Sequence, residues 1–395
     1  MGFTDNSGTL LVTCPDRIAP TLREEIEGMG YVVADAFATG VVLTGTVRDA
    51  MRLNLWCRTG YRVLSLLDEV WVHNPDGLYS FARTIEWERW IPSTGMITVH
   101  GVARHHTVRD TRFPMLRVKD AIVDRLRERN GSRPDASPDH SGASVYLRWD
   151  DDDRCSLWID TTGVPLTRRG YRHNPWRAPM HEALAAAIVR LTGWDPATPF
   201  VNPMCGSGTL AVEAALAGAN IPPGIFRNHF SFMGLVGYEQ DVWQEMREAA
   251  EGERRMEGVG PIIASDNDPG AISAARENAR SAGVESLIRF ETCDVAETTV
   301  PEEPGVIIVN PGYGARMGEE EELAPLYKRI GDMFKTRCQG YSAFVFTGSR
   351  LLAGSVGLRA SARIPLYNST IDTRLLRYQM YVGSRRQPGG VESHE

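Results

Sequence analysis

Two short stretches hold residues whose types and spacing can carry chemistry. In Val201-Asn202-Pro203-Met204-Cys205-Gly206-Ser207-Gly208-Thr209-Leu210-Ala211, a polar glycine turn joins an apolar run to a small-residue helix expected over Leu210–Ala217. Gly206, Gly208 and Ala211 satisfy G-x-G-x-x-[G/A]. Its glycines allow a tight turn and close ligand approach, while the next helix offers unpaired N–H groups. That suits a nucleotide-type cofactor. Further along, Val306-Ile307-Ile308-Val309 runs into Asn310-Pro311-Gly312-Tyr313-Gly314. An exocyclic amine such as guanine N2 is a poor nucleophile because its lone pair is delocalised into the ring. The Asn310 side-chain oxygen and the Pro311 carbonyl can accept both of its N–H bonds and turn the lone pair outward, and Tyr313 can stack on the base.

Carboxylates discriminate between cofactor classes. A dinucleotide dehydrogenase wants an acidic residue about 20 residues after the loop. The corresponding window, Gly224–Ser231, contains none. Asp266, ending Pro261-Ile262-Ile263-Ala264-Ser265, is the candidate for both ribose hydroxyls, and Asp294 in Thr292-Cys293-Asp294-Val295 is the candidate for an adenine amine.

The elements that must position these residues follow from hydrophobic pattern. Strands are expected at Leu10–Cys14, Val41–Thr46, Arg62–Leu66, Met96–Ala103, Ser144–Trp149 and Arg154–Asp160, with helices at Arg17–Met29, Arg48–Cys57, Leu78–Arg83 and Leu116–Arg129. Asn130–Ser144 is expected to be a loop. From Ala178 onward, helices alternate with continuous apolar runs at Pro199–Val201, Pro261–Ala264, Leu287–Glu291, Val306–Val309 and Ser342–Thr347. Continuous runs indicate strands buried on both faces, hence a doubly wound parallel sheet. The polar tail from Gly383 is expected to fray.

Composition bounds the partners. With 395 residues, 42% hydrophobic, the chain can bury more than one core. No apolar run approaches the roughly 20 residues of a membrane span, and Met1–Leu10 lacks the pattern of a secretory leader, so a cytoplasmic protein is expected. The six cysteines form no C-x-x-C pair, and no histidine spacing suggests a ligand set, so no metal is assigned. A net charge of −7 argues against wholesale polyanion binding. Cations are nonetheless clustered with aromatics. Arg104, Arg109 and Arg112 lie near Phe113, while Arg168, Arg169 and Arg172 lie near Tyr171 and Trp176, a composition suited to folded or single-stranded RNA. The acidic runs Asp150–Asp153 and Glu319–Glu322 are expected to face away from it.

Taken together these residues resemble the THUMP-domain RNA methyltransferases, most closely the bacterial 23S rRNA guanine-N2 methyltransferases. The resemblance runs through Leu157–Gly163, Arg168–Arg172, Ala178–Glu182, Asn202–Thr209, Ser265–Pro269, Ala274–Gly283, Asn310–Gly314 and Leu326–Lys328. It implies an α/β chain: a ferredoxin-like module (1–60), a THUMP module (61–165), a Rossmann-like methyltransferase domain (166–385) and a polar tail (386–395). S-adenosylmethionine would be held by Asn202, Pro203, Cys205, Gly206, Ser207, Gly208, Thr209, Asp266, Asn267, Asp294 and Val295, with Cys205 not a nucleophile. Asn310, Pro311 and Tyr313 would hold the base. The family pattern is Asn-Pro-Pro-Tyr, and Gly312 departs from it. Glycine frees a backbone that the family stiffens, so reduced turnover is expected. The alternatives are a tRNA guanine-N2 or adenine-N6 methyltransferase, and an RNA-binding or assembly protein impaired by Gly312.

Overall fold

The computed structural model describes residues 7–136, 140–177, 180–313 and 319–381. Ala178 and Pro179, Gly314 and the tail from Gly383 lie outside these.

Strand β1 (Gly8–Thr13) is followed by α1 (Ala19–Gly28), β2 (Val33–Phe37), β3 (Gly40–Gly45) and α2 (Val47–Trp56). Helix α2 starts on a capping box: the Asp49 N–H donates to Thr46 Oγ1 at 3.1 Å and the Thr46 N–H donates to Asp49 Oδ2 at 2.8 Å. Next come β4 (Arg62–Trp71), α3 (Pro75–Thr84), β5 (Met96–Ala103), α4 (Arg112–Asn130), β6 (Asp135–Ala136), β7 (Ala143–Trp149), β8 (Arg154–Asp160) and α5 (Glu182–Leu191). The strand order is β2-β3-β1-β4-β8-β7-β5-β6. The strands of the two expected N-terminal modules therefore form one continuous sheet, joined where β4 pairs antiparallel with both β1 and β8.

The second sheet is built from β9 (Phe200–Pro203), β10 (Ile262–Asp266), β11 (Ile288–Thr292), β12 (Val306–Val309), β13 (Ser342–Thr347), β14 (Ala362–Asn368) and β15 (Ile371–Gln379). Helices α6 (Thr209–Gly218), α7 (Gln240–Gly252), α8 (Pro269–Ser281), α9 (Glu319–Arg337) and α10 (Arg350–Ser355) lie between them in sequence. The order is β11-β10-β9-β12-β13-β15-β14. The first five strands are parallel, as the apolar runs predict. The antiparallel pair β14 and β15 extends the edge and was not expected. Chain direction across the sheet reverses between β9 and β12, and it is outside the carboxyl ends of strands at such a point that open α/β sheets bind ligands.

The chain divides into two compact units, Met1–Leu191 with Leu216–Glu257, and Thr192–Ala215 with Gly258–Glu395. The long insertion between the cofactor loop and β10 thus belongs to the first unit. Arg58 Nη2 donates to the Ile221 carbonyl at 2.9 Å, the Phe232 N–H donates to the Thr161 carbonyl at 3.0 Å, and a Cβ at Gly224 would lie 2.5 Å from the Asn54 carbonyl oxygen. Among the described residues no helix is long and apolar enough to cross a membrane.

Candidate active site

The glycine loop leaves β9 at the reversal point with three left-handed residues in close succession, Met204 (φ 54°), Gly206 (φ 55°) and Gly208 (φ 78°). Its two glycines are needed for different reasons. A Cβ at Gly206 would meet nothing within 4 Å, so that glycine leaves open space beside the loop. At Gly208 a Cβ would stand 2.8 Å from the Ala275 Cβ of α8, so that glycine permits close helix packing. Helix α8 also holds the loop through Asn278 Nδ2, which donates to the Ser207 carbonyl at 3.1 Å. Asn278 lies in the family-like stretch Ala274–Gly283, but nothing local in the sequence assigns it this contact.

Asp266, at the carboxyl end of β10, is partly exposed and braces the loop. Its Oδ2 accepts the Gly206 N–H at 3.0 Å and its Oδ1 accepts the Asp268 N–H at 3.1 Å. Asn267 is exposed beside it. Asn202 and Pro203 are buried, and Asn202 Nδ2 crosses to the Ile308 carbonyl at 3.0 Å, tying β9 to β12 beyond their paired residues. Ser207 and Thr209 are buried where the loop enters α6. The Cys205 thiol is pushed up by burial and then by the nearby Asp266 charge, so it is no thiolate near neutral pH. Asp294 Oδ1 accepts from Arg329 and from the Ala296 N–H at 2.9 Å. Val295 is buried with Val201, Ile263 and Ile307, leaving only its backbone for a ligand.

On the other side of the reversal point, β12 ends at Val309 and Asn310 follows directly. The Asn310 Oδ1 is buried and has no hydrogen-bond partner among the described residues. Such an orphaned acceptor costs about 1–3 kcal/mol unless a ligand donor satisfies it. Pro311 is buried and Gly312 exposed. The Tyr313 hydroxyl accepts from Asn368 Nδ2 at 2.8 Å, and Tyr327 Oη lies 3.2 Å from the Gly312 carbonyl oxygen. Tyr327 lies in the family-like stretch Leu326–Lys328 without an assigned role, and nothing local in the sequence marks Asn368.

The basic residues lie in the first unit and divide into two kinds. Arg104 is exposed and lines a groove of about 350 Å³ with Phe37, Tyr146 and Arg148. Arg109 and Arg168 are exposed, and Arg112 is exposed but paired with Asp110 at 2.8 Å. Arg169 is a correction. Only 1% exposed, it donates to the carbonyls of Leu166 and Arg58, so its cation serves the connector and does not face RNA. Arg172 is likewise half-buried, on Glu182 at 3.3 Å and the Met180 carbonyl at 2.6 Å.

Among the described residues, two histidine–aspartate groups have ligand-like proximity, His100/His140/Asp160 and His105/His106/Asp153. In the first, Asp160 already carries the Arg62 guanidinium, and in the second Asp153 takes His105 and His73 at 2.7 Å each. Both are hydrogen-bonded networks in their own right.

Family models match along most of the chain: an RlmL ferredoxin-like domain at residues 9–64, a THUMP domain at 72–160 and an RMKL-like methyltransferase domain at 169–377. The ribosomal RNA large subunit methyltransferase K/L of Syntrophotalea carbinolica is 38% identical over 379 residues, which cover 93% of this chain and 53% of that protein. The chain spans about half the length of the K/L relatives it matches. A Synechocystis sp. protein provisionally named RNA methyltransferase slr0064 is 34% identical, with 91% of this chain and 93% of that protein covered. The crystal structure of SMU.472, provisionally named a methyltransferase and complexed with SAH, is 25% identical with a TM-score of 0.86, covering 96% of this chain and all of that one (100%).

Proposed function

Because the chain belongs to the RMKL-like methyltransferase family, with an RlmL ferredoxin-like domain and a THUMP domain ahead of the methyltransferase domain, we propose that it methylates the exocyclic N2 of a guanine in 23S ribosomal RNA. The carrying observation is the buried Asn310 Oδ1, without a hydrogen-bond partner among the described residues, at the carboxyl end of β12, in the same sheet whose β9 end carries the glycine loop.

The residues present fit S-adenosylmethionine. Gly206 leaves space where a side chain would intrude, and Asp266 holds a partly exposed carboxylate against the loop. The loop Asn202–Thr209 with Asp266 and Asn267 would hold the cofactor's ribose and amino-acid part, and Asp294 with the backbone of Val295 its adenine. Bound there, the cofactor supplies an electrophilic methyl group on a sulfonium. Asn310 Oδ1 and the Pro311 carbonyl accept the two N–H bonds of the guanine amine, which draws its lone pair out of conjugation and aims it. Tyr313 stacks on the base. Positioning of this kind lowers the barrier without a strong base, since the amine proton is lost to water after the nitrogen has become cationic.

RNA is gathered by the first unit, with exposed Arg104, Arg109 and Arg168 supplying phosphate contacts, so affinity falls as salt rises. This reading places the protein in the cytoplasm, with RNA as its macromolecular partner. The test is mass mapping of modified nucleotides in ribosomal RNA from cells with and without this protein. Loss of one N2-methylguanine supports the reading, and an unchanged map removes it.

A further inference from the structure

Two side chains distant in sequence hold the turn that bears the acceptor residues, one at the Gly312 carbonyl and one at the Tyr313 hydroxyl. Resting on the guanine-N2 reading above, we propose that Tyr327 and Asn368 are positioning residues that fix the Asn310–Tyr313 turn.

Donor counting sets the direction of the first tether. Tyr327 on α9 is fully buried, and its hydroxyl lies 3.2 Å from the Gly312 carbonyl oxygen and 2.9 Å from Thr347 Oγ1. The carbonyl can only accept, so the single tyrosine proton goes to it, and Thr347 must then donate to Tyr327. Thr347 Oγ1 in turn accepts the Ser349 N–H at 3.2 Å. A chain of bonds anchored at the end of β13 therefore terminates on Gly312. Burial raises the Tyr327 hydroxyl far above its ordinary value, so the proton is present at any working pH.

The second tether acts one residue on. Asn368, the last residue of β14, donates from Nδ2 to the Tyr313 hydroxyl at 2.8 Å. A Cβ at Gly348 would stand 3.1 Å from Tyr313 Cδ2 and 3.2 Å from Ile371 Cγ2, so the ring packs closely between that backbone and the hairpin tip. Pro311 fixes its own φ, Tyr327 fixes the carbonyl of 312, and Asn368 fixes the ring of 313. Gly312 itself is under no demand to be glycine. Its φ is not positive, and a Cβ there would meet nothing within 4 Å. Proline at 312 would lock φ of that residue while the Tyr327 bond holds its carbonyl, so the two restrain neighbouring bonds of the same turn.

The test pairs single-turnover methyl transfer to ribosomal RNA with hydrogen exchange at the Tyr313 amide, both on the full chain. Tyr327→Phe and Asn368→Ala should each slow transfer about tenfold at saturating RNA and cofactor, the loss expected for one bond that orients a reacting group. Cofactor affinity should not move, and exchange at Tyr313 should quicken. Gly312→Pro should change the wild type little but return Tyr327→Phe most of the way in both readouts, which a merely destabilised core would not allow. Unchanged transfer and exchange in both variants overturn the proposal, as does a Gly312→Pro effect of equal size in both backgrounds. Exchange that follows the predicted pattern while wild type moves no methyl onto guanine N2 supports the tethers and overturns the functional reading instead.

Discussion

Asp266 and Asn310 are each the polar residue that ends, or directly follows, a buried apolar strand, and that placement could be read from the chain alone. Strand ends at the reversal point of a parallel sheet have few other uses for a carboxylate or an amide. Their surroundings were not legible. Tyr327 reaches Gly312 from α9, and Asn368 reaches Tyr313 from the tip of a hairpin, contacts that no local pattern encodes. Arg169 was misread for the same reason: its partners are backbone carbonyls, which every residue owns, so a structural arginine in a basic run resembles a surface one. Asp266→Ala tests this scale. It removes an acceptor for the ribose and releases the Gly206 N–H, and hydrogen bonds to a charged group contribute about 1.5–3 kcal/mol each. Calorimetry should find S-adenosylmethionine affinity lowered more than about tenfold. An unchanged value would separate Asp266 from the cofactor.

The parallel strands and the helices between them were readable as elements because continuous apolar runs allow little else. Elements with weak apolar content were missed. Strand β2 has exposed residues through its middle and forms by pairing with β3, while β14 alternates exposed and half-buried residues as the outermost strand of its sheet. The glycines of the loop divide by element too, which gives a second expectation. Gly206→Ala should cost only the left-handed backbone strain, about 1–2 kcal/mol. Gly208→Ala adds an overlap with Ala275 that α8 can relieve only by moving, so urea denaturation should show a clearly larger loss for it than for Gly206→Ala. Equal losses would mean that α8 does not pack on the loop as described.

Across the whole molecule, the merging of two modules into one sheet was invisible in sequence, since nothing in the apolar pattern of β4 or β8 names its pairing partner. Asp160 sits at that seam. Its Oδ1 accepts the Thr162 N–H at 2.9 Å and the Gly163 N–H at 3.1 Å, and its Oδ2 takes His100 at 2.9 Å and Arg62. Burial alone would raise the carboxyl, but the His100 bond and the Arg62 charge outweigh it, so the group is held below the ordinary 3.8. A depressed folded value means the stabilisation is complete above the unfolded pKa and lost as pH falls through the folded one. Asp160→Asn should therefore cost about 3–5 kcal/mol near neutrality, the usual result of stripping one partner from a buried pair. The gap from wild type should narrow only below 3.8 in urea titrations across pH, and a gap independent of pH throughout would contradict the assignment. The central claim, that Asn310 and Pro311 orient a guanine amine for methylation, is tested most directly by single-turnover transfer from labelled S-adenosylmethionine to 23S ribosomal RNA from cells lacking this protein. Wild type should place the label on guanine N2, and Asn310→Ala should nearly abolish transfer while binding the cofactor as before, because its bond to the amine matters most as the methyl moves. Undiminished transfer by Asn310→Ala, or label on any other atom, would contradict it.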